Sequence, residues 1–402
     1  MMEGAMAAEQ APCLPRERSG HVAVIWGTRM FVWGGYVDED PQEGADWDRY
    51  LPTEELWIYD TETQTWTKEM TSGQYPPAMS GSCSALLGGF MYIFGGHYDM
   101  ANSNKLFRLN LRTLEWQGVE GKGIPPSQRD KLGCWVYERK LIYFGGYGFR
   151  PQSPLRGQFE PDEAVGLGLR GWNNHLCVFD TVAEEWYQPE TTGEVPVPRA
   201  AHACARIDNR GYLFGGRYLE TRMNDLHCIN LDTWEWSGRI TVPGGLPLGR
   251  SWHSLTPIST NQLFLYGGFT TQCQPLSDGW VLDTNTHEWM NLDYLATDKP
   301  RLWHTGCSTL EGEVFVFGGC STNLLQPMPT VHCNDILVFS VMPRSLQRIC
   351  LDTIVHHKDV LAPLCSMLPR ELRLRLERRL GIPLTNPAPE QVQHRKCEGV
   401  GA

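Results

Sequence analysis

Along residues 198–236 the apolar positions come in short bursts separated by polar or turn-forming residues. Arg199 and His202 lead into Ala203 and Ala205, and Tyr212 to Phe214 is an aromatic–apolar run halted by Gly215-Gly216. Leu226, Cys228, Ile229 and Leu231 then make an alternating run, and Asp232 to Trp236 closes on a tryptophan. Each burst is too short for a helix and is bounded by Gly, Pro, Asn or Asp, so the pattern predicts four antiparallel strands. One such sheet has two apolar faces and is too small to be stable alone. Copies stacked radially would give every sheet two neighbours to bury against.

The copies are present. Double glycines recur at 34, 95, 145, 215, 267 and 318, with spacings of 61, 50, 70, 52 and 51 residues. The opening motif returns at Arg18 to His21, Met79 to Ser82, Arg129 to Leu132, Arg250 to His253 and Arg301 to His304, and closing tryptophans fall at 66, 116, 186, 236 and 289. A base period near 50 residues with this strand pattern is the Kelch signature, and the six double glycines that each end an aromatic–apolar run predict an all-β, six-bladed Kelch β-propeller. The propeller is expected over residues 16–342, after a flexible stretch at 1–15. Blade six lacks a closing tryptophan, and Pro12 to Glu17 is expected to supply its missing outer strand.

Two blades carry insertions. Val37 to Asp48 is acidic and reads as a solvated loop. Gly148 to Gly171 holds Phe149 and Phe159 among Gly and Pro, with Trp172 just after it, and suits packing over a surface. Beyond Pro343 the apolar period changes from two to helical: Leu346, Ile349, Cys350, Ile354 and Leu361 form one stripe. A second helix is expected from Pro369, with Leu372, Leu376 and Leu380 four apart, stopped by Gly381 and Pro383. The chain then reads as a helical segment at 343–382 and a polar, disordered tail at 383–402.

Charge sharpens the picture. The net charge is −11, and residues 343–402 carry ten Lys/Arg against six Asp/Glu, which leaves −15 on the rest. So acidic a propeller is a poor nucleic-acid binder, and no basic leader or long apolar run suggests secretion or a membrane span. Thirteen cysteines without a Cys-x-x-Cys pair favour reduced thiols inside the cell, in nucleus or cytoplasm, over disulfides or zinc.

Against that background, cations at repeat-breaking positions stand out. The third position of the opening motif reads Gly20, Gly81, Lys131, Ala201, Trp252, Trp303, and the residue after the double glycine reads Tyr36, His97, Tyr147, Arg217, Phe269, Cys320. These positions should face one end of the ring. There Lys131, Tyr147, Arg217, Ser251 and Trp252, with Arg222 five residues past Arg217 and Trp172 after the insertion, would converge. Arg199, Arg250, Arg301 and the histidines at 202, 253 and 304 recur with the repeat and read as structural, the arginines bridging blades. Guanidinium forks bind carboxylate or phosphate bidentately, and indoles exclude water from such bonds, so the cluster favours a small anion on something flat or apolar, such as a peptide end. It offers no base beside a nucleophile and no metal or cofactor ligand set, which argues against an enzyme. A scaffold for cytoskeletal or trafficking partners is the other open class.

On the stretches Glu17 to His21, Gly34 to Tyr36, Ser80 to Cys83, Asp130 to Gly133, Arg170 to Asn173, Gly215 to Asp225 and Arg250 to His253, the chain resembles the Kelch-repeat substrate receptors of Cullin-2 RING ubiquitin ligases. The resemblance implies a non-catalytic receptor that captures the C-terminal carboxylate of proteins ending in glycine, typically Gly-Gly, through Lys131, Tyr147, Trp172, Arg217, Arg222, Ser251 and Trp252. It also implies partners. Ser345 to Ile354 resembles the Elongin-binding box, with Leu346, Cys350 and Ile354 as its key positions, for Elongin B and Elongin C. Leu368-Pro369 with Leu372 resembles the shorter box that takes Cullin-2 and its RING subunit. The chain's own end, Gly401-Ala402, is similar to a Gly-Gly terminus, so self-association through capture by another copy is a further expectation.

Overall fold

The computed structural model describes residues 14–38, 48–166, 168–295, 298–326, 330–361, 365 and 368–381. Two units emerge, one spanning residues 1–61 and 65–344, the other 62–64 and 345–402.

The repeat pattern becomes six sheets. In the fourth blade the strands are Ala203–Ile207, Arg210–Phe214, Leu226–Asn230 and Glu235–Arg239, paired antiparallel in that order. The innermost strands of the six blades are Val22–Trp26, Cys83–Leu87, Gly133–Tyr137, Ala203–Ile207, Ser254–Pro257 and Thr305–Ser308. Each touches the next around the ring, and the last returns to the first. Period-two patterning explains why. Val22 and Val24 face the second blade's Met91 and Ile93, whereas Ala23, between them, faces Phe315 and Phe317 of the sixth. Each strand thus feeds two interblade cores, and six such clusters complete the circle. The tryptophans at 116, 186, 236 and 289 are buried in these seams, as expected.

Two rings of main-chain hydrogen bonds lock the blades together. In the first, the N–H of the second glycine of each pair donates to the next blade's opening residue: Gly35 to Met79, Gly96 to Arg129, Gly146 to Arg199, Gly216 to Arg250, Gly268 to Arg301 and Gly319 to Arg18. Only glycine fits there. At Gly216, φ is 96° and a Cβ would lie 2.7 Å from the His202 Cβ. In the second ring, residues 20, 81, 131, 201, 252 and 303 each donate to the carbonyl of the one before, and Gly20 donates to Trp303, over 2.7–3.0 Å. All six have φ between 54° and 68°.

The repeat arginines act differently from the expectation. Arg199 donates to the Gly215 carbonyl (3.0 Å) and, with both guanidinium ends, to Asp225 (2.8 Å each) within its own blade; Arg250 does the same with Gly267 and Asp278. The side chain therefore braces one blade, and the main chain bridges to the blade before: at Arg199 the N–H donates to the Asn173 carbonyl and the carbonyl accepts from Gly146, and at Arg250 the partners are Met223 and Gly216. The repeat histidines pack edge-on against the preceding blade's aromatic ring: His21 on Phe317, His202 on Phe144, His253 on Phe214 and His304 on Tyr266.

Closure also departs from expectation. Blade six has three strands among the described residues, Thr305–Ser308, Glu313–Phe317 and Ile336–Ser340, and residues 14–17 form no strand. Residues 12 and 13 of the expected segment lie outside the described residues, and Pro15 has no N–H to give a ladder along Ile336–Ser340. Individual bonds make the seam instead: Arg18 N–H to the Cys333 carbonyl, Asn334 Nδ2 to the Pro15 carbonyl, and His332 Nδ1 with Ser19 Oγ at 2.7 Å. Ser19 is fully buried, so its bond to His332, which also lies 3.4 Å from Asp38, is a tie and not a nucleophile's activation.

Pairing shapes the described parts of both insertions. Tyr36–Asp38 and Asp48–Tyr50 form a ribbon, while residues 39–47 of the acidic loop lie outside the described residues. In the longer insertion, Arg129–Asp130, Tyr147–Phe149, Arg170–Asn173 and Phe159–Pro161 make a separate four-stranded sheet.

In the second unit, Ser345 caps the helix Leu346–His356 through its hydroxyl, which accepts from the Arg348 N–H. After His357 a short helix, Lys358–Leu361, follows, and Pro369 precedes the helix Arg370–Leu380, which Gly381 ends in a left-handed cap. The buried residues of the two long helices are Leu351 and Leu376. Leu346 (76%), Ile349 (47%) and Cys350 are exposed, so the stripe read from the sequence points away from this packing. The tail at 383–402, including Gly401-Ala402, lies outside the described residues, as do residues 1–13.

Candidate functional site

The site grows from the second hydrogen-bonded ring. A non-glycine residue in the left-handed region is disfavoured by roughly 1–3 kcal/mol, and such strain gathers at functional positions. Blades one and two place glycine there, but Lys131, Ala201, Trp252 and Trp303 adopt the same φ with side chains attached. Three of those side chains are large, and all stand at the opening of a central cavity of about 280 Å³.

Beside this opening, the double-glycine turn of blade four runs into a ribbon, Arg217–Tyr218 with Thr221–Arg222. Arg217 and Arg222 are direct cross-strand partners. Two like charges in that register repel each other. Arg217 is held by a bond from Nε to the Leu219 carbonyl (2.7 Å), and its guanidinium lies 5.6 Å from the Trp172 ring. Arg222 is buried at 6% exposure. Its Nε donates to Ser251 Oγ at 3.0 Å, and its guanidinium sits 4.7 Å from the Phe269 ring and 6.0 Å from that of Trp252. Its Nη2 is buried without a hydrogen-bond partner. Burial first, and then the charge of Arg217, pulls the Arg222 guanidinium below its ordinary value. An anion lying between the two arginines would relieve both effects.

The remaining residues flank them. Tyr147 and Trp172 are cross-strand partners in the insertion's sheet, their rings edge to face at 5.4 Å. The Tyr147 hydroxyl donates to Asp162 Oδ2 at 3.0 Å, and burial followed by that bond pushes it up, keeping it protonated. Trp252 and Trp303 stack at 5.3 Å and 24°, and the Lys131 ammonium lies 5.2 Å from the Trp303 ring while pairing with buried Asp130. All seven residues read from the sequence therefore belong to one contiguous set, although of the seven only Lys131 and Trp252 line the central cavity.

The sequence reading missed several participants. Trp303 was placed in the repeat alignment but not in the site. Asp130 and Asp162 orient Lys131 and Tyr147, and Arg170 stacks on Tyr147 (5.8 Å) and Phe149 (5.0 Å). A signal existed for Trp303 and Asp130, which break the repeat as Lys131 does; Asp162 sits inside the insertion, where no repeat marks a position.

The fold and the periodic positions together fix the family. The KLHDC2/KLHL20/DRC7 Kelch-repeats domain matches residues 20–268 and 163–319. The chain belongs to the Kelch-repeat family. This Kelch protein is 51% identical to Kelch domain-containing protein 2 of Bos taurus, over 94% of each chain. It is 52% identical to the Homo sapiens protein of the same name over 91% of each, and 48% identical to Homo sapiens Kelch domain-containing protein 1, again over 91% of each. The similarity thus runs through the blades, both insertions and into the helical segment. Among the described residues of this Kelch chain, no helix is long and apolar enough to cross a membrane, and no cluster of three His, Cys, Asp or Glu could hold a metal.

Proposed function

We propose that this chain is the substrate-recognition subunit of a Cullin-2 RING ubiquitin ligase, binding the C-terminal carboxylate of proteins that end in glycine. The observation that carries the reading is the Arg217–Arg222 pair, with Arg222 Nη2 buried and unpartnered. A peptide carboxylate supplies the missing acceptor, takes charge-assisted bonds from both guanidinium groups, and reaches Ser251 Oγ beside Arg222 Nε. Trp172 on one side and Trp252 on the other give the last two residues flat, dry walls. Tyr147, with its proton turned to Asp162, presents lone pairs to a peptide N–H. Glycine suits such a site because it brings backbone and no side chain. The protein performs no bond chemistry in this scheme; it holds a terminus while partners act.

The helical segment supports the second half. Leu346, Ile349 and Cys350 are exposed on a capped helix, which is the arrangement a helix-in-groove contact needs, and Leu346 and Cys350 are two of the three Elongin-box positions. Elongin B and Elongin C would dock there. Ile354, half-buried, would complete that contact, and Leu368, Pro369 and Leu372 would meet Cullin-2 with its RING subunit.

A titration with one peptide in two forms tests the pocket. A Gly-Gly peptide with a free terminus should bind, and its amide should lose about 2–5 kcal/mol, roughly 30-fold or more. Arg217→Ala and Arg222→Ala should reproduce that loss on the free acid while Elongin co-purification stays intact. Equal affinity for acid and amide would remove the reading. A chain that binds peptide but never co-purifies with Elongins would instead be a Kelch scaffold.

A further inference from the structure

Trp303 is the residue that the proposed site leaves unexplained. It occupies a strained ring position with φ of 57°, and its indole extends sideways over two neighbouring blades. A Cβ added to Gly20 would lie 3.0 Å from Trp303 Cε2, and one added to Gly81 would lie 3.4 Å from its Cζ2. Tyr36 meets the indole edge-on at 5.4 Å, Trp252 stacks on it, and the Lys131 ammonium approaches from blade three. Groups from blades one, two, three and five therefore converge on a single ring from blade six. Glycine in blade one leaves room for the indole to lie across it, and over Gly81 in blade two the indole reaches ordinary contact distance.

The consequence is a continuous floor. Arg222, Trp252, Trp303 and Lys131 follow one another as cation, indole, indole, cation, and the last three line the cavity of about 280 Å³. A carboxylate held by Arg222 and Ser251 places the last Cα of its peptide over this floor. Resting on the proposed function, we infer that Trp303 sets the size limit for the terminal residue: its indole takes up space at the cavity wall that a side chain would otherwise enter. Its contribution is to specificity more than to affinity, because the charge contacts lie on Arg217, Arg222 and Ser251.

The test compares peptides ending in Gly-Gly, Gly-Ala and Gly-Val as free acids, plus the Gly-Gly amide, on wild type, W303A and W303F, by calorimetry after each variant is shown to melt cooperatively. In wild type each carbon added to the last residue should weaken binding by about tenfold or more, as for a filled apolar site. In W303A the Gly-Gly over Gly-Val preference should fall by at least about tenfold, with the acid-over-amide preference retained. W303F, which keeps a ring in place, should relax the Gly-Ala penalty and leave most of the Gly-Val penalty, and it decides the matter should W303A fail to fold. A folded variant whose termini keep the wild-type ratios, at whatever absolute affinity, overturns the role of Trp303 and leaves the proposed function standing. Equal wild-type affinity for acid and amide overturns both.

Discussion

Acid should unfold this propeller well before its carboxylates protonate. The histidines at 21, 202, 253 and 304 sit between blades and are buried, with exposures of 5–8%. Burial, and next a neighbouring arginine, pulls His202 and His304 from 6.5 down to about 3, and His21 and His253 well below 6.5. Between pH 6.5 and 3 the unfolded chain binds protons at these sites and the folded chain does not, so stability falls as pH falls across that window. At pH 5 each of His202 and His304 lowers stability by 1.36 × (6.5 − 5), about 2 kcal/mol, hence about 4 kcal/mol for the two. That is a large share of a typical 5–15 kcal/mol, and His21 and His253 add in the same direction. Urea melts at pH 7.5 and pH 5.0 measure it. His202→Leu, which removes one titrating group without burying a new polar atom, should shrink the difference by about 2 kcal/mol. A midpoint that stays flat from pH 7.5 to 5.0, or a pH dependence unchanged in His202→Leu, would refute the reasoning.

Arg199→Met should destabilise the propeller by about 3–5 kcal/mol, because it strands the Asp225 carboxylate that the guanidinium and His227 now hold below its usual range; a denaturant melt reads this. Leu346→Ala combined with Cys350→Phe should abolish Elongin co-purification and leave peptide affinity within about twofold, since one change deletes an anchor and the other overfills its neighbour. Gly216→Ala should prevent stable folding, because its Cβ would collide with the His202 Cβ at 2.7 Å; a soluble variant melting like wild type would contradict this.

The blades were legible because one rule is written six times: where a copy is degenerate, as at Met79 in place of arginine, the others still fix its register. The same redundancy exposed Lys131, Arg217 and Trp252 as departures from the rule. Contacts between departures were harder to read. Trp303 reaches over Gly20 and Gly81, a relation between residues more than 200 positions apart that no local pattern records. Asp162 and Arg170 lie in an insertion without a repeat, where only the pairing of Arg170–Asn173 with Tyr147–Phe149 shows what they support. The seam was misread for a related reason. A missing strand suggested a replacement strand, whereas single bonds through Arg18, Ser19, His332 and Asn334 serve. The arginine roles split between side chain and main chain, a distinction that sequence spacing cannot make.

The second ring of hydrogen bonds has an electrical consequence. From each of residues 20, 81, 131, 201, 252 and 303 the N–H points to the blade before, so six peptide dipoles chase one another around the opening in one sense. Arranged head to tail on a circle, their vectors sum to nearly nothing. A helix end, by contrast, adds its dipoles along one axis and presents a partial charge to whatever lies there. The six ring peptides therefore present an approaching ion with almost no net dipole of either sign. The polarity of the opening is left largely to side chains, and exchanging Lys131 for a neutral residue would rewrite it without removing a bond from the hoop that carries it.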